Sequence, residues 1–222
     1  MLATLFPNAD WTEIWQAILE TIYMAGIAVV ATFILGTILG LILFLTAKGN
    51  LFENKTIYLI ISAVVNIFRS IPFIILIILL IPFTTFLVGS MLGASAALPA
   101  LIIGSAPFYA RLVEIALKEI DKGVIEAAKA MGANKTQIVF KVLLPESLPA
   151  LLSGITVTAI ALIGYTAMAG VIGAGGLGTL AYNHGFEQNQ PDITFISTVF
   201  ILVIVFLLQW VGDLFPRRMD KR

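Results

Sequence analysis

The chain alternates between long apolar runs and a single long polar segment. A helix that crosses a membrane needs roughly 20 mostly apolar residues, and the stretches long enough run from about Ile18 to Ala47, Ile57 to Phe83, Ala94 to Arg111, Leu148 to Val171 and Ile193 to Phe215. The third is the shortest. Arg69, Pro72 and Pro82 interrupt the second, and Pro99 and Pro107 lie in the third. In the first, Gly36 and Gly40 have the G-x-x-x-G spacing that can bring two membrane helices into close approach.

The polar segment, Asp121 to Pro149, lies between the third and fourth runs and reads as a helical hairpin. Asp121 suits an N-cap, and Val124 to Met131 can form a short helix ended by Gly132 in the left-handed conformation. Asn134 then caps a second helix, with Gln137 as its capping-box partner, and Pro145 is expected to stop it. A folded, charged hairpin of this kind, spanning 121–146, should hold onto something at the membrane surface.

Composition sets the class. The chain is 59% hydrophobic and only 12% charged, against ~25% charged in typical soluble proteins, with a mean hydropathy of +1.03. The expected fold is an all-α polytopic membrane protein: one transmembrane domain of five spanning helices over residues 1–222 with a cytoplasmic helical coupling hairpin. With no cysteine and one histidine, His184, the chain has no thiolate chemistry and no histidine cluster. His184 reads as a solvated residue of an external loop. Met1 to Asp10 lacks the basic start of a cleavable signal.

Charge gives the orientation. Lys48 and Lys55 follow the first run, and Arg111, Lys118, Lys122, Lys129, Lys135 and Lys141 lie between the third and fourth. Arg217, Arg218, Lys221 and Arg222 form the tail. The alternate loops, Met1 to Ala17, Thr84 to Gly93 and Gly178 to Asp192, carry no lysine or arginine. The positive-inside rule then places the N-terminus outside, and the hairpin and C-terminus in the cytoplasm. Trp11, Trp15 and Trp210 suit an interfacial belt.

The hairpin contains the pattern Glu126-Ala127-Ala128, Gly132, Val142-x-Leu144-Pro145. It resembles the E-A-A-x3-G-x9-I-x-L-P loop of ABC importer permease subunits, with Val142 in place of the usual Ile. Ala127 and Ala128 lack the bulk that would keep a helix face out of a partner's groove, and Glu126 offers a carboxylate to its rim. Phe68-Arg69-Ser70-Ile71-Pro72-Phe73, Arg111-x-x-Glu114, and Met168-Ala169-Gly170 through Gly175-Gly176-Leu177-Gly178 are similar to the methionine-importer branch. The glycine run also occurs in permeases for quaternary amines and phosphonates. The resemblance covers nearly the whole chain.

It implies a homodimer of this chain in a bacterial inner membrane, bound to two ATPase subunits and served by an extracytoplasmic binding protein. ATP and magnesium belong to the ATPase subunits, this chain carries no cofactor, and no nucleic acid is involved. The implied activity is uptake of an amino acid, L- and D-methionine, with a quaternary amine or phosphonate as the alternative cargo. The ATPase-docking residues would be Glu126, Ala127, Ala128, Gly132, Val142, Leu144 and Pro145.

Gly173, Gly175 and Gly178 match the G-x-G-x-x-G spacing of dinucleotide folds, but no strand precedes them and the run leaves a membrane span, which excludes that reading. No G-x-x-x-x-G-K-[ST] loop is present, so the chain does not bind ATP that way. A membrane-embedded enzyme would need clustered catalytic groups, which the sequence lacks. A transporter independent of ATP would leave the hairpin motif unexplained.

Candidate pathway residues are Tyr165, Thr166 and Met168, the polar or polarisable positions of a span of small residues, together with Asn66 and Arg69. Arg69 either lies within the second span, marking function, or sits at the cytoplasmic interface after an amphipathic helix from Lys55 to Phe68; Asn66 can partner it in both cases. Arg111, Glu114 and Lys118 share a helix face and read as a surface ion-pair ladder.

Overall fold

The computed structural model describes residues 6–219, with side chains to residue 214, and its regular elements are all helical. The basic tail that helped set the orientation therefore falls largely outside the described residues. Helix α1 runs Trp11–Thr46 and starts ahead of the apolar run because Asp10 caps it, accepting from the Thr12 and Glu13 amides at 2.8 and 3.4 Å. It is long enough to cross a hydrocarbon core with turns to spare.

The Gly36–Gly40 spacing marks a real close contact, made within the chain. Helix α5 (Ala94–Lys118) presses against α1 so tightly that a Cβ at Gly36 would meet Tyr109 and the Ala106 carbonyl. One at Gly40 would meet Val113 and the Ala110 carbonyl. The Thr32 and Ser105 hydroxyls join the same seam at 2.5 Å. Helix α5 passes through Pro99 and Pro107 and continues about two turns beyond Arg111.

The second apolar run is not one continuous span. It breaks into α2 (Lys55–Ser70), α3 (Phe73–Leu79) and α4 (Ile81–Val88), with α2 and α3 bent by 107°. Pro72 explains the break: it holds Ile71 extended, at ψ 123°, and cannot donate to a helical ladder. Four helices can each cross a membrane by length and composition, and a fifth crossing requires α2 and α3 together.

Two further expectations fail. Pro145 does not stop the second hairpin helix, because α7 continues from Lys135 to Val171. A π turn over Val139–Leu143 intervenes, in which the Leu144 amide donates to the Val139 carbonyl. Its extra residue shifts the register just ahead of Pro145, which then occupies the first turn of the segment beyond, where its missing N–H is not needed.

The stretch read as an external loop, Gly178 to Asp192, is mostly helical: α8 (Gly176–Leu180) passes into a π turn over Ala181–Glu187. It folds back on α7 with Gly178 against Ala167 and Gly170 against the Gly178–Thr179 backbone, leaving no space for side chains. Its N-terminus is capped from α1, since Glu20 accepts from the Gly176 amide at 2.7 Å and Thr21 from the Leu177 amide at 2.9 Å. Helix α9 (Pro191–Met219) completes the bundle.

Candidate functional site

The hairpin forms from local signals. Asp121 accepts from the Gly123 amide at 2.7 Å and starts α6 (Lys122–Ala130). Gly132 turns the chain at φ +82°. Asn134 and Gln137 then complete a reciprocal capping box, both hydrogen bonds being 2.9 Å.

The motif residues divide into two groups. Ala128 is buried with Ile138, Val139 and Leu143, and Val142 and Leu144 pack against the same cluster, which continues to Leu117 in the last turn of α5 and to Ile120 just after it. Ala128 is therefore not open to a partner, as the sequence suggested; its small side chain lets α6 lie on α7. Glu126, Ala127, Gly132 and Pro145 are exposed. Beside them stand two large apolar residues that the sequence reading overlooked, Met131 at 82% and Phe140 at 64% exposure. The available signal was bulk: these are large apolar side chains in an otherwise polar segment.

A cleft of about 300 Å³ separates the hairpin from the loop after α1, with Lys48, Lys122, Glu126 and Lys129 on its walls. The Lys135 ammonium lies 4.9 Å over the Phe52 ring and ties that loop to α7.

Above the hairpin, Arg111, Glu114 and Lys118 do not form a surface ladder. The Glu114 side chain is 0% exposed. Arg111 donates to one of its carboxylate oxygens and Lys118 Nζ lies 2.6 Å from the other. Helix α5 is covered by neighbouring helices on this face, so a carboxylate that local spacing would leave in water is enclosed between two partly exposed cations.

The break between α2 and α3 opens a second cavity, of about 250 Å³, lined by Phe68, Arg69, Ile71, Phe73, Leu76, Gly104, Phe108 and Tyr165. Tyr165 stacks on Phe73 with ring centroids 4.5 Å apart and planes 8° from parallel. At ~1.5 Å per residue, Gly104 stands about 15 Å from the Ala94 end of α5 and about 21 Å from the Lys118 end. Arg69 is exposed and lines this cavity beside Gly104, near the middle of α5. An amphipathic α2 does form: Val65 is buried with Leu43 and Ala110, Tyr58 and Ile61 pack against that cluster, and Arg69, one turn on, lines the cavity with Gly104.

Of the five candidate pathway residues, the cavity collects two, Arg69 and Tyr165. Asn66 is exposed, and its carbonyl accepts from the Ser70 hydroxyl; among the described residues it makes no hydrogen bond to Arg69. Thr166 is buried and donates to the Ile163 carbonyl at 2.8 Å. Met168 is exposed and lies outside the cavity lining. His184 is not simply solvated, because its Nε2 lies 3.3 Å from Glu13 in the first turn of α1.

A family model described as "Binding-protein-dependent transport system inner membrane component" matches residues 36–221. The chain belongs to that family. It is thus a transport component of a membrane, and the family match takes in both the hairpin and the cavity. Among the family's curated members it is 65% identical, over 222 residues and the full length of both chains, to the methionine import system permease protein MetP of Bacillus subtilis (strain 168). It is 47% identical over 212 residues to a probable D-methionine transport system permease protein MetI of Pasteurella multocida (strain Pm70), covering 96% of this chain and 98% of the relative. Among solved structures it is similar to a chain from the inward-facing MetNI methionine ABC transporter. That match has TM-score 0.93 and 42% identity and covers 96% of this chain and 100% of the other.

Proposed function

We propose that this chain is the permease subunit of an ATP-driven importer and forms the membrane pathway for methionine uptake. Full-length similarity to a methionine import permease supports the substrate. The observation that carries the coupling is the hairpin: its inner face is buried in a core continuous with α5, so the exposed face bearing Glu126, Ala127, Met131 and Phe140 is free to seat in a partner. That partner is an ATPase subunit, which binds ATP and magnesium. Two ATPase subunits act on two copies of this chain, and an extracytoplasmic binding protein delivers the amino acid. The N-terminus lies outside and the hairpin in the cytoplasm. When ATP closes the ATPase pair, the docked hairpins move, and α5 and α7, which continue directly into them, carry the motion to the spans.

The test is uptake of labelled methionine by vesicles containing this chain with its neighbouring ATPase and binding protein, with and without ATP. ATP-dependent accumulation is expected. Glu126→Lys should lower it at least about tenfold, since reversing a charge at a docked ion pair costs several kcal/mol, while leaving the permease inserted and dimeric. Full transport by that variant would sink the coupling role. ATP-dependent uptake of glycine betaine in place of methionine would overturn the substrate and keep the coupling.

A further inference from the structure

We propose that the cavity at the α2–α3 break is a transit site for the amino acid. Arg69 receives the carboxylate, and the rings of Phe73, Phe108 and Tyr165 receive the ammonium and the side chain. The proposal rests on the reading above that the cargo is an amino acid.

The first reason is an imbalance of charge. An ionised side chain within a membrane bundle is costly, and such groups pair with one another or line a water-filled path. The ion pairs among the described residues involve Glu114 and Glu13, and none includes Arg69. Arg69 is instead exposed and lines a cavity. A planar fork of donors suits a carboxylate, which it can hold through two parallel hydrogen bonds.

The second reason is size and lining. At about 250 Å³ the cavity falls below the ~300–1,000 Å³ of sites for drug-sized ligands and suits a single amino acid. The stacked Tyr165–Phe73 pair presents aromatic surface near the cation, and a thioether makes favourable contacts with ring edges, as an ammonium does with ring faces. Gly104 lets α5 lie close against α3 beside the cavity: a Cβ there would come within 3.2–3.3 Å of Leu76 and Phe73.

The third reason links the site to transport. An empty cavity must keep water around Arg69, whereas a bound carboxylate supplies the missing countercharge and lets the cavity close. Loading would therefore lower the cost of moving the bundle past its mid-point.

The experiment uses the complete importer in vesicles and a methionine analogue bearing a photoreactive diazirine on its side chain. In the unaltered importer the label should fall on the segments around Phe68–Leu76, Gly104–Phe108 or Tyr165, and excess methionine should suppress it. Arg69→Gln should reduce labelling and methionine moved per ATP by about tenfold or more, with ATP hydrolysis in response to loaded binding protein retained. Labelling elsewhere, or labelling and transport unchanged in Arg69→Gln, would overturn the site. If Arg69→Gln does not assemble, Arg69→Lys keeps the charge and loses the fork; unchanged labelling and stoichiometry there would also overturn it. Failure of the unaltered importer to accumulate methionine would instead refute the proposed substrate.

Discussion

Glu114 has no solvent contact and two cationic partners, so the cost of breaking the group depends on which member is removed. Arg111→Met leaves a buried carboxylate with Lys118 alone, and an undercompensated buried charge costs on the order of 3 kcal/mol. Glu114→Gln leaves two cations, both partly exposed, that can turn toward water or lipid headgroups; an amide can still accept one of their hydrogen bonds, and the loss should be nearer about 1 kcal/mol. Thermal unfolding in detergent should therefore give a lower midpoint for Arg111→Met than for Glu114→Gln. The reverse order would mean that the carboxylate is not enclosed as described.

Helices α1 and α5 are held together by absent side chains as much as by present ones. Gly40→Leu has to push against Val113 and the Ala110 carbonyl, and overpacking of this kind costs about 1–3 kcal/mol. Gly26, on the same helix, has open space around its Cβ position, so Gly26→Ala should leave the unfolding midpoint unchanged or slightly raised. Equal effects of the two substitutions would argue against the tight seam. The same helices indicate what a sequence can reveal. Asp121, Gly132 and the Asn134–Gln137 box were readable because each finds its partners within a few residues. Pro72 announced a break, but its angle depends on where Phe73 packs among Ala97, Ala100 and Leu101. The helix after Gly175 looked like a loop because the groups that cap it, Glu20 and Thr21, lie more than half the chain away. Pro145 misled for a different reason: a π turn ahead of it relieves the conflict that normally ends a helix at proline. The buried state of Glu114 and the gathering of Arg69 with Tyr165 depend on helix packing that no local spacing encodes.

The bundle places its hairpin at one end of α5 and α7 and the capped α8 at the other, so the two must face opposite sides of the membrane if α5 and α7 cross it. The proposed direction rests on charge asymmetry: the hairpin end collects Lys48, Lys55 and the lysines of α6 and α7, whereas the α8 end has Glu20, Glu187 and Asp192 but no lysine or arginine. This is the pattern of a cytoplasmic hairpin. The chain has no cysteine, so a single introduced thiol reports without background. Met131→Cys marks the exposed tip of the hairpin and Phe186→Cys the exposed π turn after α8. In intact cells stripped of any outer envelope, a membrane-impermeant maleimide should label Phe186→Cys and leave Met131→Cys unlabelled until the membrane is opened. The opposite pattern would invert the chain and place the hairpin where no cytoplasmic ATPase could reach it. Labelling of both in intact cells would mean that α5 and α7 do not separate the two ends across a bilayer, and the transport reading would lose its geometric basis.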